Sequence, residues 1–373
     1  MPKTLAAVSA LTGTIIGAGI LGIPFVVMKS GFTLGLLNII LLGTIIIITS
    51  LYLGEIMLRT KSDHQLTGYA EKYLGEKGKS LMFLATAFGI LAALTAYLMG
   101  EGESLSYLIF GSSLYKTHLT LFFWVALSSI SYYGLKALKR GEEIGLTLVI
   151  IFLCSILIFY SSDINVQNLS YNNTNNILSP FGVVLFSLLG FSAIPELKRL
   201  LGKNKNLIKK SVISAYVIAI IIYIIFTLVV LGVKGKYVPE IATLALGKPF
   251  IVLGIVTMFT AYLCLTTALI DTLRLDFNLT KNKSWLITIL IPLLIFTILN
   301  VTNNASFVKI IGIGGAISGG LTTLLILIMF HKAKYLGDRR PEYTLPYSKI
   351  LTLIIILIFT LGIISEIMSA FSF

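Results

Sequence analysis

The chain has 373 residues, of which 56% are hydrophobic and only 12% charged, with a formal net charge of +13. Ordinary globular domains carry about 25% charged residues, so the composition excludes a soluble domain and points to a surface that faces lipid. The positive charge calls for no nucleic acid, because it lies in short loops where basic side chains sit beside anionic headgroups.

Eleven apolar runs follow one another at about 5–28, 32–58, 80–108, 118–135, 143–162, 179–200, 209–233, 249–273, 284–302, 305–331 and 347–370. Each is close to the roughly 20 residues that cross the hydrocarbon core as a helix. No stretch alternates as the strands of a membrane barrel do. The expected fold is therefore an all-α membrane protein, one transmembrane domain over residues 1–373. The first run stands where a secretory signal would, but its length, Pro24 and its glycines mark it as a retained helix.

Lys and Arg favour the cytoplasmic side of short loops. With the N-terminus inside, the outer segments hold only Lys29, Lys116, Lys234, Lys236, Lys248 and Lys309, and all other Lys and Arg fall inside. Such a bias predicts a multi-pass protein of the cell membrane with a cytoplasmic N-terminus and the C-terminus outside. Leu66, Tyr69, Ala70, Tyr73 and Leu74 recur at helical spacing in the loop after span two, which predicts an amphipathic interfacial helix. Between spans seven and eight, Pro239 and Gly247 bracket a short expected helix over Glu240–Leu246.

Enzyme chemistry finds no support. Cys154 and Cys264 fall within spans, His64, His118 and His331 are scattered, and phosphate-loop, dinucleotide and metalloprotease motifs are absent. No bound cofactor is expected.

Spans one and six carry the informative residues. Span one contains Gly17-Ala18-Gly19-Ile20-Leu21-Gly22-Ile23-Pro24 and span six contains Gly190-Phe191-Ser192-Ala193-Ile194-Pro195, so both share the spacing G-x-x-x-I-P. Glycine weakens a helix by about 1 kcal/mol relative to alanine, and proline removes a backbone donor. Together they predict a break in each span. Broken backbone at membrane depth is tolerated where it is buried in protein or lines a wet cavity, and corresponding breaks in two halves are the sequence pointer to a transporter site. Five helices separate the two, so they cross in opposite directions, as a five-plus-five inverted repeat over about 5–162 and 179–331 requires. The helix at about 347–370 is then an addition.

The span-one run resembles the first-helix signature of the amino acid/auxin permease family and its bacterial relatives, the hydroxy and aromatic amino acid permeases. Phe181-Gly182-Val183-Val184-Leu185-Phe186, followed by Gly190-Phe191-Ser192-Ala193-Ile194-Pro195-Glu196, is similar to their sixth helix. Glu55, the segment around Tyr69, and Asp271-Thr272-Leu273-Arg274 fit the same family, and the resemblance covers nearly the whole chain. It implies an eleven-helix secondary transporter of the amino acid-polyamine-organocation superfamily, moving amino acids by ion-coupled symport with sodium or protons. Many members carry a longer tail before span one, so tail-based regulation is not expected here.

Helix dipoles then suggest roles. Free N–H groups near Gly19, Ile20 and Leu21, with Gly17 and Ala18 at the break, suit a substrate carboxylate. Carbonyls near Phe186 and Ser187, with Gly190 and Phe191 at the second break, suit its ammonium. Tyr97 in span three either meets the substrate or packs as a core tyrosine. Similar transporters place sodium ligands in span eight, where Thr257 and Thr260, or the rival pair Thr266 and Thr267, stand one turn or one residue apart. Each of these hydroxyls can instead bond its own helix. Glu55, Glu196, Asp271, Arg274 and Asp276 near the inner face form either gating salt bridges or ordinary interfacial charge. Deep burial of Glu101, Glu103 or Glu366 would point to proton or cation handling, whereas snorkelling to headgroups is the default. A secondary active amino acid transporter working by alternating access is the reading these features favour, and a channel or a non-transporting receptor are its alternatives.

Overall fold

The computed structural model describes residues 3–133, 151, 154–202 and 204–371. Span one is α1 (Lys3–Ile15), a 3-10 turn over Ala18–Gly22, and α2 (Ile23–Ser30). Span two is α3 (Phe32–Arg59), span three lies in α4 (Leu66–Phe110), and span four is α5 (Lys116–Tyr133). Of span five, residue 151 and the end from residue 154, with α6 (154–160), fall among the described residues. Span six is α7 (Phe181–Ser187) and α8 (Ile194–Leu201), followed by α9 (Ile208–Lys234), α10 (Lys248–Leu275) and α11 (Lys281–Val301). Span ten is α12 (Phe307–Gly314), a π-helical turn over Gly315–Gly319, and α13 (Gly320–Leu336), and α14 (Lys349–Phe371) closes the chain.

Eight helices among the described residues are long and apolar enough to cross a bilayer, and α1 with Gly19–Ser30, bent by 48°, forms a ninth as one broken span. The fold is all-helical and membrane-spanning. Span four is described only to Tyr133 and half of span five lies outside the described residues. Of the candidate spans, six and ten are the most enclosed, and α14 is the most exposed. That ordering follows from composition. Gly312, Gly315 and Gly319 let span ten close onto span six, where a Cβ at Gly315 would fall 2.6 Å from the Phe186 backbone nitrogen.

Two loops carry structure of their own. The segment around Tyr69 forms a short helix set off from span three by a non-helical kink at Gly75, whose φ of 76° only glycine adopts readily. Leu66, Tyr69, Ala70 and Tyr73 are buried against protein, and Tyr73 shares a hydrogen bond of 2.7 Å with Thr60. The helix expected over Glu240–Leu246 shortens to a 3-10 turn at Ala242–Ala245. Glu240 is drawn off instead to the start of α12, accepting from the Ser306 hydroxyl at 2.8 Å and the Val308 N–H at 3.2 Å.

One end of the helix bundle is tied by two clusters. Glu55, fully buried, pairs with Arg59 at 2.8 Å and Lys334 at 2.6 Å and accepts from the Leu345 N–H at 2.6 Å. The loop between spans ten and eleven is thereby fastened beneath α3, where the Tyr343 hydroxyl also donates to the Leu51 carbonyl at 2.7 Å. In the second cluster Lys198 of α8 bonds the Met57 and Thr60 carbonyls, each at 3.4 Å, and pairs with Asp63 at 2.6 Å. Glu196–Arg199 at 3.9 Å and Asp271–Arg274 at 4.0 Å are exposed pairs within one helix and carry little weight. Asp276 accepts from the Thr67 hydroxyl at 2.8 Å.

The hydrogen bond from Lys198 holds the Asp63 carboxyl below the usual carboxylate range. A carboxyl whose folded value is depressed contributes stability above its unfolded value, about 3.9, and loses it as pH falls through the lowered one. Asp63 is 65% exposed, so the contribution is small. Thermal unfolding in detergent should show wild type slightly more stable than Asp63→Asn near neutral pH, with the gap closing in acid below the ordinary range. A gap that persists in acid contradicts the pairing.

Candidate functional site at the paired breaks

The two breaks meet. A Cβ at Gly19 would fall 2.5 Å from the Ser187 hydroxyl, 2.9 Å from the Phe186 ring and 3.0 Å from the Ser187 Cα. Glycine is therefore required for span one to approach span six this closely. Gly190 is as tightly placed, 2.7 Å from Ile15 and 3.1 Å from the Tyr216 hydroxyl by the same measure. Gly17 is looser, since its Cβ would meet only the Tyr97 hydroxyl at an ordinary 3.6 Å.

The backbone explains the geometry. After Ile15 the chain turns so that the Gly17 N–H bonds the Ile15 carbonyl at 2.9 Å, and Ala18–Gly22 tightens into a 3-10 turn with Pro24 entering the first turn of α2. In span six α7 ends at Ser187, Leu188 and Leu189 turn back onto the Val184, Leu185 and Phe186 carbonyls, and Pro195 opens α8. Proline at a helix start loses nothing, because its missing donor would be unsatisfied there in any case.

One side chain joins both breaks. The hydroxyl of Tyr223 on α9 lies 2.9 Å from the Ile15 carbonyl and 2.5 Å from the Ser187 carbonyl. A phenol carries one proton, so it donates to one oxygen at a time while contacting both. Seven residues earlier on the same helix face, the Tyr216 hydroxyl accepts from Ser50 at 2.9 Å and lies against Gly190. Both tyrosines are fully buried. The sequence reading passed over them; their signal is a pair of tyrosines two turns apart in an Ile-rich span.

The other expected residues divide. Tyr97 joins the site, buried with its hydroxyl beside Gly17. Gly17, Ile20 and Leu21 line a cleft with Ile16, Thr243 and Thr257. Ala18 opens the 3-10 turn, and Phe191 is buried just past the second break. The Ser187 carbonyl, expected to be open to an ammonium, is met by Tyr223, and the Phe186 carbonyl is met by the Leu189 N–H at 3.2 Å. Ser187 itself donates to the Val183 carbonyl at 2.8 Å.

Of the four span-eight threonines expected as sodium ligands, Thr257 is the one that lines the cleft. Its hydroxyl bonds the Gly254 carbonyl at 2.8 Å. Thr260 is exposed and bonds the Val256 carbonyl at 3.0 Å, Thr267 bonds the Leu263 carbonyl at 2.9 Å, and Thr266 is buried with no hydrogen-bond partner. The pairing expected from spacing is thus divided, because hydroxyls three residues apart diverge when each folds back on its own helix.

Comparison with known proteins decides the class. Residues 1–245 match the model of the tryptophan/tyrosine permease family. The chain belongs to that family. It is 25% identical to the tyrosine-specific transport system 1 of Haemophilus influenzae, over 96% of this chain and 94% of that protein. Identity to glutamine transporter 2 of Aliivibrio fischeri is 23%, over 60% of this chain and 59% of that one. The crystal structure of MhsT in complex with L-phenylalanine superposes with a TM-score of 0.67 at 18% identity, covering 98% of each chain, and the fold is shared with it. This permease is a secondary amino acid transporter of the multi-pass, all-helical kind.

Proposed function

We propose that this permease carries an aromatic amino acid through a site between the breaks at Ile15–Gly19 and Ser187–Phe191, in symport with a cation. The observation that carries the reading is the contact of Gly19 with Ser187, bridged by the Tyr223 hydroxyl. Broken backbone buried in protein at the centre of two crossing spans is where transporters of paired repeats hold substrate. The family and the tyrosine-specific relative favour an aromatic side chain. Gly17, Ala18, Gly19, Ile20 and Leu21 face the carboxylate in this reading, Phe186, Ser187, Gly190 and Phe191 the ammonium side, and Tyr97 closes over the substrate. Displacing Tyr223 from one carbonyl would free an acceptor for the ammonium. Thr257 is the hydroxyl best placed for sodium, with Thr260, Thr266 and Thr267 further from the break.

The wider placement in the amino acid/auxin permease group, the eleven-span count with inverted repeats at about 5–162 and 179–331, and the orientation belong to the same proposal. A cysteine replacing Asn173 should label from outside and one replacing Asn204 only after permeabilisation. Labelling of both from one side contradicts the six-span count that the inverted repeat requires.

Uptake into proteoliposomes tests the function itself. Labelled tyrosine, tryptophan, phenylalanine and glutamine are supplied with sodium and proton gradients imposed separately. Saturable, gradient-dependent accumulation of an aromatic amino acid is expected. Conductance without saturation would instead favour a channel.

A further inference from the structure

Glu101 sits on α4 one turn outward of Tyr97, and residues four apart share a helix face. It is fully buried, and neither carboxyl oxygen has a hydrogen-bond partner. The glycines on either side explain the seal. Gly100 lets Met258 of α10 and Phe307 of α12 close in, at 2.7 and 3.2 Å from where a Cβ would stand, and Gly102 does the same for Thr120 of α5. The sequence Gly100-Glu101-Gly102 therefore lets three neighbouring helices exclude water from a carboxyl group.

The surroundings supply no counter-charge. The Phe259 backbone of α10 lies near, outside hydrogen-bond geometry. Lys116 of α5 and Glu240 of the outer loop act on Glu103, and no ion pair involving Glu101 exists among the described residues. An isolated carboxylate in such a medium is far more costly than a neutral acid lacking a partner, which loses about 1–3 kcal/mol.

We propose that Glu101 is the site of a transported proton: it holds the proton in the sealed conformation shown here, and exchanges it with water when the α4 glycines part from α5, α10 and α12. The step is a proton transfer: the carboxyl O–H bond breaks as a new O–H bond forms on a water molecule on one side of the membrane, and it is remade by a proton from water on the other side in each cycle. The inference deepens the symport reading of the same transporter and rests on it.

Two measurements on the full-length protein test it. In proteoliposomes, an imposed pH difference of about one unit should drive about tenfold accumulation of the transported aromatic amino acid, for one proton per substrate. Glu101→Gln should equilibrate substrate without accumulating it, while substrate exchange under equal concentrations persists and so reports a folded carrier. In infrared difference spectra at neutral pH, wild type should show a buried protonated-carboxyl band that Glu101→Gln lacks. Proton-driven accumulation undiminished in Glu101→Gln, or no difference in that band, overturns the proposal. Accumulation driven by sodium alone in wild type also overturns it while leaving transport intact, whereas absence of any uptake by wild type would instead remove the function proposed above.

Discussion

Gly19→Val should abolish uptake while the protein still inserts in the membrane. Any Cβ there lands 2.5 Å from the Ser187 hydroxyl and 3.0 Å from its Cα. The hydroxyl is committed to the Val183 carbonyl, and the Cα is backbone, so neither yields without moving α7. Overpacking of this kind costs about 1–3 kcal/mol, and here the strain falls on the contact that joins the two breaks. Gly190→Val should act in the same way through Ile15 and Tyr216, whereas Gly17→Ala, with only an ordinary contact at 3.6 Å, should fold normally. The measurement is initial uptake at matched membrane levels, with a loss on the order of tenfold or more expected for each valine variant. Normal saturable uptake by both would remove the breaks from the transport path.

The largest effect on stability is expected at Glu55. Replacing it with Gln leaves Arg59 and Lys334, each mostly buried, without their anion, and weakens the acceptor that holds the Leu345 N–H. Removing one partner of a buried pair costs about 3–5 kcal/mol, because the remaining charge stays uncompensated. Purified Glu55→Gln should unfold at clearly lower temperature in detergent, and the loop over 337–348 should become sensitive to protease. An unchanged midpoint together with an intact loop would show that the cluster is not what fastens that loop.

Much of this was legible in the sequence because membrane helices declare themselves through long apolar runs. Spans two, seven, eight and nine end within a few residues of where the structure ends them. The breaks were legible too, since Gly19, Pro24, Gly190 and Pro195 change backbone preference locally, whatever the tertiary context. Side-chain partners were not. Tyr223 reaches carbonyls more than thirty residues away on α7 and more than two hundred away on α1, a relation no local pattern encodes. Thr260 illustrates the converse error, because spacing on a helix gives a face but not what covers it, and that face is exposed. The burial of Glu101 was likewise hidden: its position near a helix end suggested snorkelling, while the close approach allowed by Gly100 and Gly102 seals it in.

Substrate protection of Gly17 tests the paired-break site most directly. Gly17→Cys adds a thiol where the structure leaves room beside Tyr97, in a protein whose exposed Cys154 and Cys264 are replaced by alanine. Alkylation of that thiol by a small membrane-permeant reagent is followed with and without a saturating concentration of the transported aromatic amino acid. The account predicts that substrate slows alkylation several-fold, with half-protection at the concentration that half-saturates uptake. Alkylation at the same rate with and without substrate, in a variant that still transports, would contradict it.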